Sequence, residues 1–408
     1  MSWECVSLDE APLEILDGDR GKNYPKQNEF FSQEHCLFLS ATNVTKTGFD
    51  FQECQFITEQ KDEKLRKGKL KRNDIVITTR GTIGNVAHYS DNVIFDHVRI
   101  NSGMVIIRTD NNELYAPFLY AYFRSSSFFK QVNQLRSGVA QPQLPIRDMK
   151  LIEIPLPKID EQKRIAELIS NYDELIENNR RRIQLLEESA RLLYKEWFVH
   201  LRFPGHEHVK ITDGVPEGWE MQTAYDVMDV LSGGTPKTKI AEYWDGDIPF
   251  FTPKDTTDCA FTYSTEKMIT EQGLSKCNSR LYPKYTIFIT ARGTVGKLSF
   301  AQRPMAMNQS CYALVGKKDF NQKFLYCSLK ASIEQFKSRA SGAVFDAIVV
   351  DTFKRIPFLK PTPMLITQFT DSAKVIFDQV DKLSYMNRKL AQARDILLPR
   401  LMNGELIV

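Results

Sequence analysis

The chain carries its own pattern twice, and that repeat limits what it can fold into more than any other feature. Ser2-Trp3-Glu4 returns as Gly218-Trp219-Glu220, and Arg80-Gly81-Thr82-Ile83-Gly84 returns as Arg292-Gly293-Thr294-Val295-Gly296. Ser137-Gly138, Ile154-Pro155 and Asn179-Arg180 come back in the same order as Ser341-Gly342, Ile356-Pro357 and Asn387-Arg388. A period of roughly 200 residues is far too long for a solenoid, whose units run to about 20–50. It predicts two copies of one large unit, each a globular domain followed by a helix. At 408 residues the chain is too long for one ordinary domain and suits this arrangement.

Both globular parts mix short strands with short helices, which makes them α/β. Asp74–Thr79 and Tyr285–Thr290 have strand composition, and each runs straight into the Arg-Gly-Thr turn. Gly103–Ile107 and Ser310–Val315 read as later strands. Leu114 to Lys130 and Asn321 to Lys337 have the apolar spacing of helices.

The pattern then changes. Asp160 is placed as an N-cap, with Glu161 in the first turn, where an acid favours the helix dipole. Ile165, Ile169, Tyr172, Ile176, Asn179, Ile183, Leu186, Ala190, Leu193 and Trp197 follow at alternating spacings of four and three, a heptad seam ended by Pro204-Gly205. In the second half Thr362-Pro363 opens a helix in the same way. Phe369, Ala373, Ile376, Val380, Leu383, Asn387, Leu390, Arg394, Leu397 and Leu401 form its seam, with Arg394 out of character. Pro399 is expected to kink or end this helix near Leu398, which puts Leu401 in doubt, and Asn403-Gly404 is a further stop.

Each seam holds one asparagine near its middle, a residue that costs stability and sets register. One antiparallel register pairs Ile165 with Leu401 and Asn179 with Asn387, so the two asparagines are predicted to meet. The alternative is that each helix packs only on its own globular part. At about 1.5 Å per residue such a helix spans roughly 50–55 Å. Two of them side by side make a stiff spacer, long enough to hold two modules on half-sites one DNA turn, about 34–36 Å, apart. The divisions are therefore a first globular domain over 1–157, a spacer helix over 158–204, a second globular domain over 205–358 and a C-terminal spacer helix over 359–408.

Composition narrows the setting. No apolar run reaches the ~18–20 residues that cross a bilayer, and Met1–Cys5 does not read as a secretory signal, so a cytoplasmic location is expected. Seven cysteines without a Cys-x-x-Cys pair argue against a disulfide framework or a zinc ribbon. The net charge of +3 does not by itself require a nucleic-acid partner. Its distribution is more telling: Lys61, Lys64, Arg66, Lys67, Lys69, Lys71 and Arg72 crowd one segment. Taken alone, such a run is usually just a solvated face.

These residues resemble the specificity subunits of type I restriction-modification systems, over nearly the whole chain. In the first half the resemblance rests on Gly81-Thr82-Ile83-Gly84, Arg99-Ile100-Asn101-Ser102-Gly103, Ser137-Gly138-Val139-Ala140-Gln141-Pro142, Ile154-Pro155-Leu156-Pro157 and Glu161-Gln162-Lys163-Arg164-Ile165. In the second half it rests on Pro216-Glu217-Gly218-Trp219, Gly233-Gly234-Thr235-Pro236, Tyr243-Trp244-Asp245-Gly246, Gly293-Thr294-Val295-Gly296 and Asn308-Gln309. The second half departs from the first in carrying Phe345 for Gln141 and Lys360-Pro361-Thr362-Pro363 for the first proline run.

The resemblance implies two target-recognition domains, each reading half of a bipartite double-stranded DNA sequence, held apart by an antiparallel coiled coil. It implies a non-catalytic chain that docks two methyltransferase subunits and restriction (translocase) subunits. S-adenosylmethionine and ATP with Mg²⁺ would then be bound by those partners, and no cofactor or metal by this chain. Phosphate neutralisation supplies DNA affinity and base-edge contacts supply specificity. Candidate contacts in the first domain are Lys64, Lys67, Lys69, Arg72, Arg80 and Thr82. In the second they are Lys237, Lys239, Lys254, Lys276, Arg280, Arg292 and Thr294. Gly81 and Gly293 fit either a close phosphate approach or a tight turn.

Two rival classes fit worse. An enzyme acting on DNA would need motifs that are missing: Gly293–Leu298 is too short for a phosphate-gripping loop, and no Pro-Pro of an amino-methyltransferase occurs. Glu59-Gln60-Lys61 has a nuclease-like spacing that chance readily supplies, and His206-Glu207-His208 reads as an exposed connector. A coiled-coil adaptor that binds only protein explains the helices but not the two repeated domains.

Overall fold

The computed structural model describes residues 3–138, 142–257, 259–318, 320–340 and 347–407. It divides into two compact units, one formed by 1–175 with 390–408 and the other by 176–389. Both division points fall inside long helices, Ile159–Tyr194 and Pro363–Met402.

In the first unit a four-stranded sheet runs in the order Leu13–Asp17, Met104–Thr109, Ile75–Thr78, Val86–His88, all antiparallel. The strand Ile75–Thr78 is a continuous apolar run because both its faces are covered. Ile75 and Ile77 point into a core that the helices Ala116–Phe123 and Ser126–Leu135 help to fill, and Val76 points into a second core with Leu37, Leu39 and Val98. Alternation with period two thus divides one strand between two cores. A second sheet joins Phe56–Ile57, Cys36–Leu39 and Val98–Ile100, the last pair parallel. Cys5–Ser7 pairs with Glu153–Pro155 just before the long helix begins.

The second unit repeats this plan. Met228–Ser232, Cys311–Gly316, Ile287–Thr290 and Leu298–Ala301 stand in the same order, with Phe261–Thr262 added at the edge. Ile287 and Ile289 face one core and Phe288 the other. Lys267–Ile269, Trp244–Phe251 and Ala306–Met307 form the second sheet, again with one parallel pair. Glu220–Thr223 pairs with Pro357–Lys360 ahead of the second long helix.

Three local expectations are corrected. Leu114–Lys130 is not one helix: it breaks at Arg124-Ser125, where the Ser125 side chain accepts from Phe128 N and starts a new helix. Its counterpart Gln322–Ala340 runs unbroken. Asp160 is not the cap, since the first long helix already includes Ile159. Pro399 does not end the second helix, which continues to Met402. The proline sits within a turn of the terminus, so little helix remains to be disrupted. Burial holds that turn in place: Leu398, Leu401 and Met402 enter the first unit's core, and Trp3 Nε1 donates to the Leu401 carbonyl at 2.8 Å. Gly404, with φ +75°, then turns the chain away.

Within the first unit, Ile165 and Ile169 of one helix share a core with Leu398 and Leu401 of the other. Arg394, out of character in an apolar seam, pairs with Asp173, which Arg124 also holds. Within the second unit Asn179 Nδ2 donates to Asn387 Oδ1 at 2.9 Å, and Asn387 Nδ2 donates to the Ile176 carbonyl at 3.1 Å. That contact is the one the antiparallel register requires. Replacing Asn179 alone by leucine strands part of the partner amide, so urea unfolding should show a loss of about 1–3 kcal/mol. Replacing both should recover that loss. A double variant as weak as the single one would mean that the pair does not act as a unit.

Candidate nucleic-acid interface

The repeated Arg-Gly-Thr turns are built alike in the two units. Thr78, the last residue of its strand, donates its hydroxyl to the Thr82 carbonyl and accepts from Asn85 N at 3.1 Å. Thr290 does the same with the Thr294 carbonyl and with Lys297 N, at 2.9 Å for the latter. The loop closes through Gly84 N to the Thr78 carbonyl and Gly296 N to the Thr290 carbonyl, both 2.9 Å. Gly81 and Gly293 have φ of +73° and +78°, which L side chains rarely adopt. Around Gly293 a Cβ would meet nothing within 4 Å among the described residues. Backbone conformation, not crowding, therefore requires glycine there.

The turns present Arg80 and Arg292, both exposed and both without a carboxylate partner among the described residues. Thr82 and Thr294 stand exposed beside them, with their carbonyls committed to the turn. Behind each turn lies an asparagine loop. Asn101 Oδ1 accepts from Gly103 N at 2.8 Å, and Asn308 Oδ1 from Ser310 N at 3.0 Å. At Gly233 a Cβ would fall 2.2 Å from the Asn308 carbonyl, so the Gly233-Gly234 segment can pass there only as glycine.

In the second unit these parts line an open cleft of about 410 Å³. Lys254, Lys267 and Arg292 face it with Asn308 and Ser310, and Glu266 is the one acid among the described residues of its lining. Lys254 stands on the short turn Pro253–Asp255, which Thr252 and Asp255 cap reciprocally. The sequence candidates Lys254 and Arg292 are thus brought together. Lys237, Lys239, Lys276 and Arg280 are exposed but do not line this cleft.

The first unit's basic run divides in two. Lys64 and Lys67 are exposed without acid partners among the described residues. Lys69 and Arg72 are engaged within the fold. Lys69 Nζ lies 2.5 Å from Asp62. Arg72 donates to the Ser90 and Val93 carbonyls at 2.9 and 2.8 Å, pairs with Asp96 at 2.7 Å and covers the Tyr89 ring. A guanidinium with five donors beside three local acceptors is used by its own domain. Lys61 likewise pairs with Glu29 at 2.8 Å.

Several functional-looking residues escaped sequence reasoning. Gln162 is fully buried, accepts from Tyr115 N, and donates to the carbonyls of Glu113 and Pro157, which fixes the start of the first long helix on its domain. Its signal was the Glu161-Gln162-Lys163 run at a helix start. His35, Asp62 and His97 bring three ligand-type atoms within 4.8 Å of one another. The Asp62 carboxylate is already opposed by Arg99 and Lys69, however, and the two imidazoles stack at 4.2 Å with planes 20° apart. Near-parallel rings do not aim both lone pairs at one ion, so this trio is poorly arranged for a metal. His206, Glu207 and His208 form an exposed single turn. Val139, Ala140, Gln141, Ser341, Gly342 and Phe345, singled out in the sequence, lie outside the described residues, as does Ser2.

The family model of the type I restriction modification DNA specificity domain matches residues 3–188 and 216–393. The chain belongs to this family. Each match contains a globular part and much of the helix after it, which is the duplicated unit that the repeat predicted. Among curated relatives, the type I restriction enzyme HindI specificity subunit of Haemophilus influenzae is 23% identical, over 95% of this chain and 98% of its own length. The MjaIX specificity subunit of Methanocaldococcus jannaschii is 25% identical, over 86% and 82%. The crystal structure of a type I restriction-modification S subunit from M. genitalium shares the fold, with a TM-score of 0.57 at 17% identity over 98% of this chain and 96% of that one. The Arg-Gly-Thr turn with its asparagine loop is therefore a feature that both specificity domains of this chain hold in common. Among the described residues, no helix is long and apolar enough to cross a membrane.

Proposed function

We propose that this chain is the DNA-reading subunit of a type I restriction-modification complex, with each specificity domain reading one half of a bipartite, asymmetric target. The observation that carries this reading is the paired turn. Arg80 and Arg292 leave equivalent strand ends exposed and, among the described residues, without a carboxylate partner, in two domains whose surrounding loops differ. An arginine so placed suits bidentate contact to guanine or a phosphate. The chain acts in the cytoplasm and contributes no catalytic centre and no cofactor. Two methyltransferase subunits that bind S-adenosylmethionine dock on it and flip an adenine in each half-site. Restriction subunits join to translocate and cut with ATP and Mg²⁺. The exposed apolar side chains on the helices, Leu185, Leu192 and Val375 among them, suit that docking.

The test is a salt titration of DNA binding by the complex assembled with methyltransferase subunits. Affinity should fall steeply with salt, whereas an adaptor that binds only protein would show no DNA affinity. Arg292→Ala should weaken binding to the target by about 1–3 kcal/mol, and Arg80→Ala by a similar amount through the other half-site. Arg72→Ala should lower the melting temperature of the first domain and leave the salt slope unchanged. Unchanged binding in both turn variants would remove the turns from the interface.

A further inference from the structure

We infer that Arg303 and Arg388, stacked on Tyr263, form a phosphate clamp that grips the DNA backbone beside the second domain's half-site. This rests on the reading of that domain as a DNA binder and adds a contact outside its recognition cleft. Arg388, on the second long helix, lies 3.6 Å from the Tyr263 ring centre, and Arg303 lies 5.0 Å from the same ring. Arg388 also reaches the Tyr385 ring, at 4.9 Å. Both side chains are partly exposed, yet the Nε of each is buried with no hydrogen-bond acceptor among the described residues. Neither guanidinium has an ion-pair partner among the described residues. The acid at the same junction, Asp381, is taken by Lys284 at 2.6 Å and by Gln302 Nε2 at 2.6 Å.

Two like charges on one ring repel each other, and cation–π attraction offsets only about 0.5–2 kcal/mol for each. The arrangement suits an anion with several acceptor oxygens. Topology does not demand it, because the first domain folds without it. Ala301 and Tyr89 occupy the same place in their sheets: Ala301 N donates to the Thr286 carbonyl as Tyr89 N donates to the Asp74 carbonyl. Two residues further on, Arg303 therefore corresponds to Asp91, an acid in place of a base.

Continuity favours a DNA phosphate over a protein carboxylate. Tyr263 precedes Glu266 and Lys267 of the recognition cleft by three and four residues. Even fully extended, that chain to Glu266 spans at most about 11 Å, and a DNA strand rises about 3.4 Å per nucleotide. A strand seated on Lys254, Lys267 and Arg292 comes within about three nucleotides of the clamp.

The experiment measures binding of a target and a non-target duplex by the complex with methyltransferase subunits, across a salt series. Arg303→Gln with Arg388→Gln should weaken both duplexes by the same factor, about tenfold near 0.1 M salt, and make the salt slope shallower by about 1. Arg303→Lys with Arg388→Lys keeps the charges and should keep most of the slope. An unchanged slope in the glutamine pair overturns the clamp. Equal losses in the lysine and glutamine pairs, or failure to assemble with methyltransferase subunits while DNA binding by the free chain is unchanged, also overturn it, in favour of a structural stack or a partner's carboxylate. If Lys254→Ala and Arg292→Ala leave binding intact as well, the reading of the domain itself has failed. If they weaken binding and the glutamine pair does not, only the clamp has.

Discussion

Asp62→Ala will destabilise the first unit by about 3–5 kcal/mol, the usual cost of removing one partner from a buried ion pair. The Asp62 side chain is 2% exposed and that of Arg99 is 6%. Arg99 Nε donates to the carboxylate, and its other nitrogens donate to the carbonyls of Lys67, Asp62 and Leu65. Without Asp62 that guanidinium stays buried with its charge uncompensated, while Lys69, 44% exposed, can turn to water. The second unit shows what the fold tolerates instead. Its short helix starts at the N-cap Thr270 as the first unit's starts at Thr58, which puts Leu274 where Asp62 stands. Ala306 pairs with Phe250 as Arg99 pairs with Phe38. The double change Asp62→Leu with Arg99→Ala should therefore recover most of the loss. Urea unfolding of the three proteins measures this, and a double variant as unstable as Asp62→Ala would refute the compensation argument.

The same cluster sets an acid limit. Burial pushes the Asp62 carboxyl up, but hydrogen bonds and charge from Lys69 and Arg99 outweigh it and hold the group below the usual carboxylate range. A carboxyl lowered by folding adds stability above its unfolded value of about 3.9, and that stability is lost as pH falls through the lower folded value. The double apolar variant should lack this part of the acid loss.

Exchanging residues 1–157 for those of another family member should change the bases of one half of the methylated target and leave the other half as it was. Each domain closes its own sheets, and Cys5–Ser7 pairs with Glu153–Pro155 inside the exchanged segment. The grafted domain must still meet Gln162, whose hydrogen bonds go mainly to backbone groups and so tolerate a change of side chains. Mapping methylated adenines in cells that carry the hybrid reads the result. Change in both halves, or in neither, would mean that the domains do not read independently.

Much of this was legible along the chain because it depends on local pattern. The repeat, the strand before each Arg-Gly-Thr turn and the seam containing Asn179 and Asn387 follow from residue type and spacing, which covalent geometry converts directly into strand or helix. Charge was read less well. Lys69 and Arg72 look like Lys64 and Lys67 in sequence, yet Lys69 is tied to Asp62, and Arg72 to Asp96 and to the carbonyls of Ser90 and Val93, while Lys64 and Lys67 have no acid partner among the described residues; residue type along the run does not carry that distinction. Pro399 reads as a stop, but burial of Leu401 and Met402 outweighs its local cost.

Repetition and periodicity, then, determined the duplicated architecture and the pairing of the asparagines, because both are written in short-range spacing. Tertiary structure alone decided which cations stand exposed without an acid partner among the described residues, which are used inside a domain, and that Arg303 and Arg388 meet on one ring. Those outcomes depend on which acids, carbonyls and rings folding brings together.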